Sequence, residues 1–211
     1  DEDCVKFLSI LSKNLQKYDC RCYGFVLMTN HYHLILRPSD DSFSSMMRRI
    51  NTAFAQYINK SRKRSNYVFS DRFKSIPTRD QNYLLNLLLY IHRNPLEAGM
   101  VKSIEELDSY KWSSHSCYRG EMSYPWLNTN CLRSIFSSIN KQKTYEAFLS
   151  EYNGSSFNPW QVDEQCDRVN DSLPEIVTGE EATWIQAKVQ KCAEKQQKRK
   201  KLQEKPNVLK R

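Results

Sequence analysis

No apolar run in this chain approaches the roughly 20 residues that a helix needs to cross a bilayer, so no membrane-spanning segment is expected. The opening residues, "DEDCVKF", are acidic and resemble neither a secretory nor a transit peptide. An initiator methionine is lacking too, and residues upstream of Asp1 are therefore expected. CxxC spacing is absent: the cysteines at 4, 20, 22, 117, 131, 166 and 192 are odd in number and scattered. Such usage argues against a disulfide framework and for a reduced, cytoplasmic protein with buried thiols. There is no internal repeat, so the chain is not a repeat array.

What is present is globular in character. A length of 211 residues leaves room for one good domain plus an appendage, or for two small ones. Aromatics at 12% and apolar residues at 39% can build a core. The net charge of +8 is unevenly placed. Between Arg48 and Arg79 stand nine Lys/Arg and a single acid, Asp71; between Lys188 and Arg211 stand ten Lys/Arg against Glu194 and Glu204. The remainder is mildly acidic. Two basic blocks in such a chain point to a polyanionic partner, most often nucleic acid. The second block also reads as a solvated helix or an unstructured end. The first interleaves its cations with Phe54, Tyr57, Tyr67, Phe69 and Phe73, the combination that lets cations track phosphates while rings stack on bases.

Hydrophobic periodicity gives the order of elements. Val5, Leu8, Leu11 and Leu15, with Phe7 and Ile10 beside them, predict an amphipathic helix over Val5 to Tyr18. "CRCYGFVLM" (20–28) and "HYHLILR" (31–37) read as strands joined by Thr29 and Asn30 into a hairpin. A long helix capped by Ser42 or Ser44 runs through Lys60, and "YVFSDRFKSIP" (67–77) alternates as a third strand. Asp80 caps the helix "QNYLLNLLLYIHR", which Asn94-Pro95 is expected to end while opening a short new one that Gly99 closes. The order α-β-β-α-β-α is that of an α+β fold, a ferredoxin-like sandwich with a central antiparallel sheet whose opening strand is expected upstream. Beyond Val101 the chain is punctuated by Trp, Tyr and Pro, with helical patterns near 128–137 and 141–151. A polar connector (161–178) leads to "EEATWIQAKVQKCAEKQQKRKKLQEK", which has helix-forming composition.

Side chains alternate along a strand, so His31 and His33 share a face, with Cα atoms about 6.5–7 Å apart. Two readings stand: polar residues on a solvent-facing surface, or a ligand pair for one divalent cation. Histidine suits Mn or Zn, while Mg favours oxygen, with phosphate and water completing its shell. A zinc site with Cys20 and Cys22 is excluded. With a two-residue turn at Thr29-Asn30, Cys22 falls opposite Arg37, four pairs or about 13 Å from His33.

On the later helix, Tyr90 and Asn94 are four apart and share a face, while His92 points about 200° away. A phenol and a carboxamide beside a histidine-held cation would form a nucleophile, a third ligand and a Lewis acid. Tyrosine, with a pKa of about 10, is a weak nucleophile that a cation polarising a phosphodiester would assist. Equally, Tyr90 reads as an ordinary aromatic and Asn94 as the cap of the helix opened by Pro95.

"LMTNHYHLIL" resembles the HUH motif (His, bulky apolar residue, His) of single-tyrosine transposases, and "YIHRNPLEAGMV" resembles the nucleophile helix of their REP-associated tyrosine transposase branch. "DEDCVKFL", "MMRRINTAFAQYINK", "FSDRFKSIP" and "YKWSSHSCYRG" agree in order and spacing, so that the resemblance covers about 1–120 and thins through 150. It implies a ferredoxin-like HUH fold that cuts single-stranded DNA beside imperfect hairpins, links the 5′ phosphate to tyrosine, releases a 3′-OH and rejoins strands by reversal. His31 and His33 are then metal ligands for Mg²⁺ or Mn²⁺, and Tyr90 the nucleophile. Related transposases place glutamine four residues after the tyrosine as third ligand; here that place holds Asn94, with His92 a substitute if the helix unwinds before Pro95. Arg48, Arg49, Lys60, Arg62, Lys63, Arg64, Arg72 and Lys74 are expected to grip the hairpin DNA through its phosphates. The implied organisation is a transposase domain over 1–120, a helical accessory segment over 121–160, and a polar connector with a Lys-rich helix or tail over 161–211. The protein would act as a monomer or homodimer and without a membrane. A hairpin-binding protein of the same fold without cleavage is the alternative.

Overall fold

Phe7, Leu8, Ile10, Leu11 and Leu15 form the buried stripe of the first helix, α1 (Glu2–Lys17). Val5, expected on that stripe, is 59% exposed. Six residues at about 100° each carry it roughly 120° around from Leu11, off the packed side. The computed structural model describes residues 1–70, 72–78, 80–140, 144–152, 157, 159 and the backbone of 183–188.

Strands β1 (Arg21–Leu27) and β2 (His31–Arg37) make the expected hairpin. The Met28 N–H donates to the His31 carbonyl at 2.8 Å, and Val26 pairs with His33. The register shifts between Cys22 and Gly24, so that Cys22 pairs with Leu36 and Arg21, not Cys22, faces Arg37. This bulge at Tyr23 brings Cys22 into the same core as Phe25 and Leu27. His33 points the other way, which separates Cys22 from the histidines by a layer of the sheet and excludes a shared zinc ion a second time.

Helix α2 (Phe43–Ser61) begins after Ser42, whose side chain makes no capping bond, and lies beside α1. Met46, Met47, Ile50, Phe54 and Ile58 join Phe25, Leu27, Tyr32, Leu34 and Leu36 in one core on that face of the sheet. Strand β3 is shorter than its sequence pattern, Lys74–Pro77. Between β2 and β3 runs β4 (Thr183–Lys188), antiparallel to both, giving the sheet order β1-β2-β4-β3. The slot that the opening strand of a ferredoxin-like sandwich fills is thus occupied by a strand from late in the chain. The helix-forming composition read over this stretch gives way here. Facing edges of β2 and β3 carry backbone donors and acceptors that a strand satisfies and a helix does not. The connector at 161–178 and the basic block beyond Lys188 lie outside the described residues.

Helix α3 (Gln81–Glu97) covers the opposite face of the sheet. Its first turn is capped by the Asp80 carboxylate, which accepts from the Tyr83 N–H at 2.7 Å. The helix does not end at Asn94: Pro95 lies inside it, and only Gly99, at φ +66°, turns the chain away. A proline four residues on removes just the one ladder bond to the Ile91 carbonyl, which a helix packed along its length tolerates. Gly24 sets the closeness of this packing. A Cβ there would stand 2.8 Å from Leu88 Cδ1 and 3.2 Å from Ile91 Cδ1.

Downstream, α4 (Ile104–Asp108), α5 (His115–Arg119), α6 (Asn130–Ile139) and α7 (Tyr145–Glu151) pack around α3, and the last two match the expected helical patterns. Leu107, Tyr118, Leu132, Ile135, Phe136, Tyr145 and Leu149 share a core with Val26, Ile35, Leu88 and Ile91. Among the described residues no helix is long and apolar enough to cross a membrane.

Candidate active site

The alternation of β2 places Tyr32, Leu34 and Leu36 against α1 and α2, which leaves His31, His33 and Ile35 facing α3. The Tyr32 hydroxyl confirms the sense by donating to Asn51 of α2 at 2.6 Å. His31 and His33 approach edge to face, with ring centroids 4.8 Å apart. The Tyr90 ring lies 5.9 Å from that of His33. Asn94, one turn further along α3, lies near enough to His33 for its carboxamide to favour the charged imidazole, against the larger effect of burial. Four residues singled out in the sequence thus converge at one end of the sheet.

Each imidazole is prepared differently. His33 is fully buried, and burial, reinforced by the neighbouring His31, holds it neutral by pushing its pKa well below the ordinary histidine value. His31 is half-buried, and its Nδ1 lies 2.7 Å from Asn30 Oδ1. A carboxamide oxygen only accepts, so Nδ1 carries the proton and Nε2 presents a lone pair. This is the tautomer that a metal-binding histidine takes when a second residue holds its other nitrogen. Among the described residues no group of three His, Cys, Asp or Glu could hold a metal. An ion here would have to complete its shell with the Asn94 carboxamide, substrate oxygens or water. The donor set of two imidazoles and an amide fits a divalent ion that also coordinates phosphate.

Tyr90 is half-buried beneath the Phe157 ring, whose centroid is 6.1 Å away. Tyr152 lies near enough to sense it: burial, then the Tyr90 hydroxyl, pushes the Tyr152 phenol upward. His92 takes no part in this cluster. It is fully buried on the far side of α3, with Nδ1 2.7 Å from the Tyr145 hydroxyl and Nε2 2.7 Å from Ser114 Oγ. The helix stays wound through Pro95, so the substitution of His92 for Asn94 is excluded.

The basic block divides between the two ends of the sheet. Arg48 and Arg49 are exposed on α2 and share a cavity with Tyr18, where α1 ends. Lys60, Arg62, Lys63 and Arg64 stand at the other end of α2. Arg62 pairs with Asp3 there and lines a small cavity with His31 and Met28. Arg72 and Lys74 are exposed, and Lys74 begins β3. Lys74 and His33 are both register partners of Gln186, which puts them in one row across the sheet, two strands or about 10 Å apart. Arg48, Arg49 and the Lys60–Arg64 group thus belong to the α2 layer, opposite Tyr90; of them Arg62 meets His31 in a cavity, while Lys74 shares a row of the sheet with His33.

Residues 1–94 match the family model described as "Transposase IS200 like". That stretch, just under half of the chain, is similar to IS200-like transposases. The match ends on Asn94, the last side chain of the cluster on α3. A transposase binds DNA, cuts it and rejoins it, and this family's chemistry uses a divalent metal ion. No curated protein and no solved structure matches the chain. Within residues 1–94, Asn30 carries no signal of a site residue in the sequence, because it reads as half of a turn. Phe157 and the partners of His92 lie beyond the matched segment, and no local pattern ties them to the cluster.

Proposed function

We propose that this chain is a metal-dependent single-stranded DNA endonuclease and strand transferase of the REP-associated tyrosine transposase branch, acting beside hairpins. The observation that carries the reading is the convergence of Tyr90, His33 and Asn94, with His31 oriented by Asn30. His31 and His33 would hold a Mg²⁺ or Mn²⁺ ion, with Asn94 as third ligand. When bound, such an ion would polarise a phosphodiester oxygen and offset the negative charge that grows on the oxygens around phosphorus. The Tyr90 oxygen attacks the phosphorus in line and gives up its proton to solvent. The bond from phosphorus to the 3′ oxygen breaks, and that oxygen takes up a proton. One phosphodiester is exchanged for another, a 5′-phosphotyrosine, so attack by a 3′-OH reverses the step and rejoins strands. His33, neutral and buried, keeps its lone pair for the site, and Phe157 limits access of water to the tyrosyl linkage.

Arg62 and Lys74, the cations nearest His31 and His33, would hold the strand that is cut through its phosphates, with Lys60, Lys63, Arg64 and Arg72 extending that grip. Arg48 and Arg49, at the far end of α2, would meet a more distant part of the hairpin. Residues 1–120 act as the cleaving domain, with 121–160 as an accessory helical segment and 161–211 contributing the tail and its strand.

A second reading, hairpin binding without cleavage, draws on the complete burial of His33 beneath neighbouring rings. One experiment separates the two. The protein is incubated with a hairpin-bearing single-stranded oligonucleotide and Mg²⁺ or Mn²⁺, beside Tyr90→Phe. A covalent protein–DNA adduct that vanishes in the variant supports cleavage by Tyr90. Cleavage surviving in the variant excludes that nucleophile, and binding without cleavage under either metal favours the second reading.

A further inference from the structure

His92 follows Tyr90 by two residues and so projects from the opposite side of α3, about 200° around the axis. It begins a run of short contacts through the downstream helices. His92 Nδ1 is 2.7 Å from the Tyr145 hydroxyl of α7, and that hydroxyl is 2.7 Å from His115 Nδ1 of α5. His115 Nε2 is 2.8 Å from Asp108 Oδ1 at the end of α4, and the other Asp108 oxygen is held by Arg119. On its other side, His92 Nε2 is 2.7 Å from Ser114 Oγ, which accepts the Phe25 backbone N–H of β1 at 2.9 Å.

Counting protons fixes the direction of every bond. Burial would raise the Asp108 pKa, but Arg119 and His115 outweigh it and hold the carboxyl low and ionised. An ionised carboxylate only accepts, so His115 carries its proton on Nε2. Burial keeps His115 neutral by lowering its pKa. A neutral ring has one N–H, so His115 Nδ1 must accept, and the Tyr145 hydroxyl spends its proton there. The Tyr145 oxygen then accepts from His92 Nδ1–H, and His92 Nε2 accepts from Ser114. Ser114 has one proton, and the 2.7 Å contact to His92 takes it in preference to the 3.2 Å contact to the Phe25 carbonyl. The chain runs one way, from Ser114 to Asp108, with no donor or acceptor left over.

The place of this chain matters because Pro95 leaves the Ile91 carbonyl without its ladder bond in the turn that carries Asn94, directly after Tyr90. The contacts of His92 tie the back of α3 to α7 and, through Ser114, to β1. Phe25, the far anchor, is the neighbour of Val26, which pairs with His33. We propose that Asp108, His115, Tyr145 and His92 are positioning residues for DNA cleavage, fixing the rotation of α3 that keeps Tyr90 and Asn94 against His33. The proposal rests on Tyr90 being the nucleophile, and it gives a role in the reaction to residues beyond the transposase match.

The test uses the full chain, a hairpin oligonucleotide and Mn²⁺, with Tyr145→Phe and Asp108→Asn as variants. The first removes one hydroxyl from the core; the second acts at the half-buried end of the chain and remains informative if the first does not fold. In the wild type, nitrogen NMR of the imidazoles in the metal-free protein should find His92 protonated on Nδ1 and His115 on Nε2. In each variant the single-turnover rate of adduct formation, measured well below its melting temperature, should fall by about tenfold or more, because slight misplacement of a reacting atom is costly. Oligonucleotide affinity should stay within about twofold, since the chain lies in the core and touches no phosphate. A wild-type rate in both folded variants, reversed tautomers, or rate and affinity falling together would overturn the proposal. A wild type with these tautomers that forms no adduct would instead remove the nucleophile itself, and the positioning role with it.

Discussion

The imidazole of His33 and the phenol of Tyr90 meet at 72°, their centroids 5.9 Å apart, one carried by a strand and the other by a helix laid across it. The two belong to the same chain, and Gly24 is what lets their elements approach so closely.

A site assembled this way does not depend on exchange between subunits. Mixing His33→Ala with Tyr90→Phe, each inactive, should leave the mixture inactive in adduct formation on a hairpin oligonucleotide. Recovery toward a quarter or more of wild-type activity would mean that tyrosine and histidines come from different chains.

Asn30 orients His31 without being a ligand candidate itself. Asn30→Ala should raise the Mn²⁺ concentration needed for half-maximal cleavage by about ten- to a hundredfold, the usual consequence of losing such a partner. It should leave stability within about 0.5 kcal/mol, because the residue is only half-buried in a turn. Metal titration beside thermal unfolding checks both halves.

Gly24→Ala places a methyl 2.8 Å from Leu88 Cδ1 in a filled core. Leu88 has no exposed side to turn toward, so α3 should shift, at a cost of about 1–3 kcal/mol. Denaturant unfolding measures that cost. The cleavage rate should fall further than oligonucleotide affinity, since the shift moves Tyr90 relative to His33.

Acid should weaken the fold through His115, whose pKa burial depresses even though Asp108 pulls the other way. Above the ordinary histidine value both folded and unfolded states are neutral. Below about pH 6.5 the unfolded chain takes up a proton that the folded chain refuses, so stability is lost as pH falls, by up to about 1.4 kcal/mol per pH unit for one group. His115→Gln should show a shallower loss between pH 6.5 and 5. An equal slope in the two proteins would clear this residue.

Much of the site was legible because strand and helix periods are local. Alternation on "HYHLILR" put both histidines on one face, and the four-residue spacing of Tyr90 and Asn94 put both on one side of α3. Which face of the sheet α3 would cover is a tertiary matter, and the pattern was silent on it. The helix end predicted at Asn94 failed for a similar reason. Proline inside a helix removes one bond, but whether the helix then stops depends on packing along Leu96 and the residues beyond. The bulge at Tyr23 escaped notice because a register counted from the turn assumes unbroken pairing. Thr183–Lys188 was read by composition as helical, while two distant sheet edges decided otherwise. The basic block was visible as a number of charges, yet its division between the two ends of α2 follows from how that helix is laid.

The one-way bonding from Ser114 to Asp108 also bears on how such a protein can change over generations. Ser114, His92, Tyr145 and His115 each give one proton to the next member and Asp108 only accepts, so altering one residue leaves its neighbour with a mismatched role. Replacements at positions 92, 108, 115 and 145 should be tolerated in concert more readily than singly. Four side chains scattered over the sequence would then be inherited as one trait.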